Sequence, residues 1–111
     1  MRIDIISSPI TKLRAKEIAK ECYEVMVKGV VDVERRIIAL GGEWHMDANM
    51  KLIGNGSHQR DVWGFNYYPD EDRLVFTALI NIRPAEHNRS MEVQDASLRQ
   101  RMEEVIRALI I

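Results

Sequence analysis

Val62-Trp63-Gly64-Phe65-Asn66-Tyr67-Tyr68, the run Pro69-Asp70-Glu71-Asp72 and then Leu74-Val75-Phe76-Thr77-Ala78-Leu79-Ile80-Asn81-Ile82 together decide the fold class. The first segment is aromatic and β-favouring, and the second is a set of turn formers. In the third, Leu74, Phe76, Ala78, Ile80 and Ile82 alternate with Val75, Thr77, Leu79 and Asn81. Strict alternation puts the two sets on opposite faces of a strand, so the pattern predicts an antiparallel hairpin of Val62 to Tyr68 with Leu74 to Ile82.

Upstream, Arg2 to Ile6 holds three isoleucines and predicts a short first strand ending at Ser7-Ser8-Pro9. Serine before proline is a helix-start signal, because a hydroxyl accepts orphan amide hydrogens while proline tolerates the first turn. Leu13, Ala15, Ile18, Ala19, Cys22 and Met26 then recur at helical spacing, predicting a helix from Pro9 or Ile10 to Glu24. The valines of Val25 to Glu34 and the apolar run Ile37-Ile38-Ala39-Leu40 predict a second hairpin. It leads into Gly41-Gly42-Glu43-Trp44-His45-Met46-Asp47, read as extended. Asp47 would then cap a short helix over Ala48 to Ile53, which Gly54-Asn55-Gly56-Ser57 stops.

Downstream, Arg83 to Gln94 lacks apolar periodicity and predicts a long loop. Asp95 caps a final helix with the stripe Leu98, Met102, Val105, Ile106, Leu109 and Ile110. The element order β, α, β, β, short α, β, β, α predicts one α+β domain over residues 1–111. Its sheet is expected to be mainly antiparallel, with about five strands and two longer helices packed on one face.

The bulk properties exclude more than they assign. A chain of 111 residues buries about 65% of its unfolded surface, enough for a core without disulfides or metal. Sixteen basic residues are interleaved with seventeen acidic ones for a net charge of −1, which leaves no bulk footprint for nucleic acid or an anionic membrane. Cys22 is the single cysteine, so no intramolecular disulfide forms, and the reading is cytoplasmic. No apolar run reaches the ~20 residues of a membrane span.

Two groups of residues carry candidate chemistry. If the stretch after Gly42 is extended, Glu43, His45 and Asp47 share one face, and carboxylate with imidazole suits a divalent metal. His58 or His87 would complete the set. No metalloprotease-type His-Glu-x-x-His run and no cysteine pair supports it, and the competing reading is a solvated face or a cap for the next helix. The second group is Arg83 with Asn88 and Arg89, whose donors would clamp a carboxylate or phosphate. The competing reading pairs the arginines internally with acids such as Asp32, Glu34 or Glu43. Trp63, Phe65 and Tyr67 read as packing residues in preference to a base-stacking platform, since the strand has no basic interleaving. The glycines around Asn55 lack the phosphate-loop pattern and follow a helix instead of opening one.

With Gly41 to Asp47, Asp61 to Pro69, and Ile80 to Pro84 followed by Asn88-Arg89-Ser90, the chain resembles a family of short uncharacterised bacterial and archaeal proteins, a domain of unknown function. Similar blocks occur there in the same order, over nearly the whole chain. The resemblance implies a free-standing prokaryotic protein and brings no activity with it.

The expectation is therefore a binding or interaction module that recognises an anionic group on a small molecule or protein partner through Arg83, Asn88 and Arg89. The alternative is a metal-dependent hydrolase acting on a phosphoester, with Glu43, His45 and Asp47 holding a divalent cation that activates water. A homodimer through a sheet edge or the tryptophan-rich face is a further expectation.

Overall fold

The computed structural model describes residues 2–111. Its strands are β1 (Ile3–Ile6), β2 (Val27–Asp32), β3 (Ile37–Gly41), β4 (Val62–Tyr68) and β5 (Arg73–Val75). Its helices are α1 (Lys12–Ala19), α2 (His45–Gly54) and α3 (Ala96–Leu109). The five strands form one sheet in the order β1-β3-β2-β4-β5, and every neighbouring pair is antiparallel. The α+β class and the antiparallel sheet are as the sequence predicts.

The β2–β3 hairpin has no Asn-Gly, and Asp32 supplies the turn instead. Its Oδ1 accepts the amides of Glu34 and Arg35 at 2.9 Å each, and Arg36 takes a left-handed conformation at φ 58°. At the other hairpin, Tyr67 donates its hydroxyl to Asp72 Oδ1 at 2.8 Å, and Asp72 also meets Lys12 of α1 and Arg107 of α3. One turn is thus tied to two helices.

The sheet divides two clusters of buried side chains. Along β2, Val27 and Val31 belong to one and Val30 to the other, as the alternation of a pleated strand requires. The first contains Trp63, Phe65 and Tyr67 of β4 with Ala15, Ile18 and Ala19 of α1 and Met102, Val105 and Ile106 of α3. The second contains Ala39 and Val62 with Ala48 and Leu52 of α2. Trp63, Phe65 and Tyr67 are packing residues, at most 4% exposed.

Two predicted elements are redrawn. The first helix is capped by Thr11, whose side chain accepts the Arg14 amide at 3.0 Å, and it ends at Ala19 instead of Glu24. The Ala19 carbonyl accepts the amides of Cys22, Tyr23 and Glu24 in turn, which winds the chain into a tight loop with Glu24 at φ 59°. Consequently the two longest helices are α2 and α3, and their buried residues fall in different clusters.

The strand predicted from Leu74 to Ile82 pairs with β4 only as far as Val75. Residues 76–83 then form a strap beside β4: Ala78 donates its amide to Met91 O at 3.1 Å, and Leu79–Asn81 make a 3-10 turn. Gly64 makes room for it, since a Cβ there would lie 2.5 Å from the Ala78 Cβ. The long loop is internally bonded, with Arg83 and Asn88 exchanging backbone hydrogen bonds of 2.7 and 3.1 Å. Among the described residues no helix is long and apolar enough to cross a membrane.

Candidate functional site

The stretch after β3 turns a corner. Gly41 and Gly42 have φ of 115° and 88°, and a Cβ on Gly41 would sit 2.2 Å from the Arg2 carbonyl oxygen, so only glycine fits. Trp44 is the N-cap of α2, and His45 is its first residue. Asp47 lies in the first turn and accepts the Trp44 amide on Oδ2 at 3.1 Å, the carboxylate half of a capping box. The predicted extended face of Glu43, His45 and Asp47 is therefore corrected: His45 and Asp47 are helical, and the pleat that would align the three is absent. Among the described residues no group of three His, Cys, Asp or Glu side chains is placed to hold a metal ion.

The arginine group is brought together, but its donors are directed inward. Arg83 Nε donates to Ile80 O at 2.8 Å, Nη1 to Gln59 O at 2.8 Å and Nη2 to Val62 O. Its guanidinium lies 4.2 Å from the centroid of the Trp63 ring. Burial pushes its pKa below the usual arginine value, with Glu86 opposing. Asn88 is 4% exposed; its Nδ2 donates to the carbonyls of Asn81, Ser90 and Glu92, while its Oδ1 accepts the Gln94 amide. Only Arg89 keeps its side chain exposed. Instead of a clamp for an external anion, Arg83 and Asn88 grip backbone carbonyls. Among the described residues neither Arg83 nor Arg89 makes an ion pair with Asp32, Glu34 or Glu43.

Asn81 extends the same device. It is fully buried, its Oδ1 accepts the Gly64 amide at 2.8 Å, and its Nδ2 donates to Gly64 O at 3.1 Å and Met91 O at 3.2 Å. A side-chain amide has the donor and acceptor of a peptide group, so Asn81 pairs with β4 where a strand would have done so.

Between the strap and the N-terminal end of α2 lies a partly enclosed cavity of about 550 Å³. Trp44 and Met46 of the α2 start, Leu79 and Ile80 of the strap, and Met91 form its apolar walls. Four of these are large side chains left unusually exposed: Leu79 at 67%, Trp44 at 59%, Met46 at 49% and Met91 at 41%. Such concentration of apolar exposure around one concavity marks a contact site more often than scattered surface residues do. A slightly larger concavity, about 590 Å³ and bordered by Glu43, Asp47 and Lys51, is an open surface depression whose Asp47 is occupied by capping.

The polar groups of the groove are few. Lys28 of β2 stands directly across from Asn66 of β4 in the strand register. Its ammonium lies 4.9 Å from the Tyr23 ring centroid and 5.2 Å from that of Trp44, and it makes no ion pair among the described residues. Tyr23 is anchored by donating its hydroxyl to Glu43 O at 2.6 Å.

His45 is half-buried between Phe65 O at 2.9 Å and Asn66 Oδ1 at 2.8 Å, both reached by Nε2. Asn66 is oriented by donating Nδ2 to Thr77 O at 3.4 Å. Both atoms facing Nε2 are acceptors, so Nε2 carries the proton and Nδ1 holds the lone pair. Burial lowers the pKa of His45 from its ordinary value of 6.5, and nearby Lys28 lowers it further; the Phe65 and Asn66 contacts oppose this. The ring is neutral at pH 7, and Nδ1 has no hydrogen-bond partner among the described residues.

Of the predicted site residues, His45 alone lines this groove. Lys28, Trp44, Asn66, Leu79 and Met91 escaped the sequence reading. Their signal was an amide in an otherwise aromatic strand and a lysine among valines, and both become meaningful only when the register sets Lys28 beside Asn66.

Comparison with curated proteins and with solved structures gives no match. A family comparison does, and it agrees with the resemblance drawn from the sequence blocks. The match runs over residues 4–109, nearly the whole chain, and the protein belongs to the family described as protein of unknown function (DUF5674).

Proposed function

We propose that this protein is a binding module whose groove between α2 and the strap takes a small apolar molecule bearing an anionic group. The layering we infer from the two buried clusters, α1 and α3 over one face of the sheet and α2 over the other, leaves this groove on the α2 face. The observation that carries the reading is an ammonium without a counter-ion, Lys28, at an apolar concavity of ligand size. The anionic specificity expected of the arginine loop thus moves to Lys28.

An apolar body would cover Leu79, Met91 and Trp44, and full burial of one such side chain is worth roughly 2 kcal/mol. An anion close to Lys28 in a partly desolvated site adds about 1 kcal/mol, near a factor of five to ten in affinity. The test is titration with two fluorescent dyes, anionic anilinonaphthalene sulfonate and uncharged N-phenylnaphthylamine. Both are expected to bind, with Leu79→Glu weakening both and Lys28→Met weakening the sulfonate about five- to tenfold while sparing the neutral dye. Equal binding of the sulfonate to wild type and both variants would sink the reading. A second copy of the chain in the groove would instead give dimers in sedimentation velocity and dye binding that declines as protein concentration rises.

A further inference from the structure

Two residues that line the groove, Lys28 and His45, carry polar groups of opposite character. One is the Lys28 ammonium, which asks for an anion. The other is Nδ1 of His45, an acceptor held in place because Nε2 is fixed on Phe65 O at 2.9 Å and Asn66 Oδ1 at 2.8 Å. An acceptor left without a donor in a partly desolvated wall is costly when an apolar ligand covers it, because it loses water and gains nothing. A ligand that supplies a donor there removes that cost.

From this, and resting on the groove reading above, we infer the chemical class of the ligand: an apolar carboxylic acid that also carries a hydroxyl or amide N–H. Its carboxylate is taken by Lys28 and its donor by His45 Nδ1, while the apolar body lies against Leu79, Met91 and Trp44. Hydroxy acids and N-acylated amino acids with apolar side chains meet this description. A free α-ammonium does not, because it would bring a second cation beside Lys28. The neutral imidazole at pH 7 supports the acceptor role, since burial and Lys28 both disfavour its protonation.

The discriminating pair is phenyllactate and 3-phenylpropanoate, which differ by one hydroxyl, measured by displacement of anilinonaphthalene sulfonate at pH 7.5. Wild-type protein is expected to prefer phenyllactate about tenfold, the worth of one hydrogen bond to a group otherwise left unpaired. His45→Gln keeps an amide N–H able to reach the Phe65 carbonyl but has no acceptor in the place of Nδ1. It is expected to bring the two acids to within about twofold, because 3-phenylpropanoate no longer covers an unpaired acceptor and phenyllactate no longer gains a bond to it.

A second readout needs no variant: the ¹⁵N resonance of His45 Nδ1 is expected to move on adding phenyllactate and to stay in place with 3-phenylpropanoate. Equal affinities in the wild type, a preference that survives in His45→Gln, or an Nδ1 resonance indifferent to both acids would overturn the inference. If the dye binds in the groove and neither acid displaces it, the inference falls and the groove reading stands. If the dye does not bind, both fall.

Discussion

His45 ties the start of α2 to β4 through Nε2, and the proposed site draws on its other nitrogen. Its pKa in the folded protein is lowered from 6.5 by burial, so the unfolded chain takes up the proton first as pH falls. The stability it contributes is complete above about pH 7 and is lost as pH drops below 6.5 toward the folded-state value. Urea midpoints measured from pH 7.5 to 5.5 are expected to decline, with a smaller decline in His45→Gln; equal slopes would contradict this.

Asn81 bears a larger energetic burden. Removing its amide leaves the Gly64 N–H and carbonyl without their side-chain partner, so Asn81→Ala is expected to cost about 2–4 kcal/mol in urea unfolding. Asn81→Asp keeps an acceptor for the Gly64 amide but turns a carboxylate toward two carbonyls, and it too is expected to destabilise. Arg83 and Asn88 were legible as a spatial group because they fall close together after a predicted strand. Their role was not legible, because a linear sequence does not distinguish donors facing carbonyls from donors facing solvent.

The alternation from Leu74 to Ile82 was a true signal of burial, with Ala78 buried and Ile80 packed on the second cluster. As a signal of strand length it misled, because period-two burial persists when the pairing partner changes from a strand to a side chain. β5 pairs with β4 through three residues, and Asn81 takes over beyond it. Gly64 is the position on which this arrangement can be tested. In Gly64→Ala the new Cβ would meet the Ala78 Cβ at 2.5 Å, and a close contact of that kind costs about 1–3 kcal/mol. The variant is expected to unfold at lower urea and to bind anilinonaphthalene sulfonate several-fold more weakly, because the strap is displaced. Retention of full affinity would show that the strap does not define the groove.

The helices were misjudged in a related way. Leu13 fits the helical stripe in sequence yet is 67% exposed, and the stripe runs past Ala19, where the backbone has already left the helix. At α2 the reverse occurred: the helix begins at His45, three residues earlier than Ala48, because Asp47 caps from inside the first turn instead of in front of it.

At the scale of the molecule, strand number, antiparallel pairing and the final helix were all readable, because each depends on local periodicity and turn chemistry. The groove was not, because it is assembled from β2, β4, the α2 start, the strap and Met91, which only the register and the crossing at Gly64 bring together. The strap that closes the groove is attached by Asn81, Asn88 and Arg83, and each of them holds main-chain atoms. Main-chain atoms are the same whatever side chains the neighbouring positions carry. Leu79 and Met91, both exposed, can therefore be exchanged without loosening the attachment, which separates what holds the groove from what lines it. A frame of this kind lets the lining of the groove vary while the architecture stays constant.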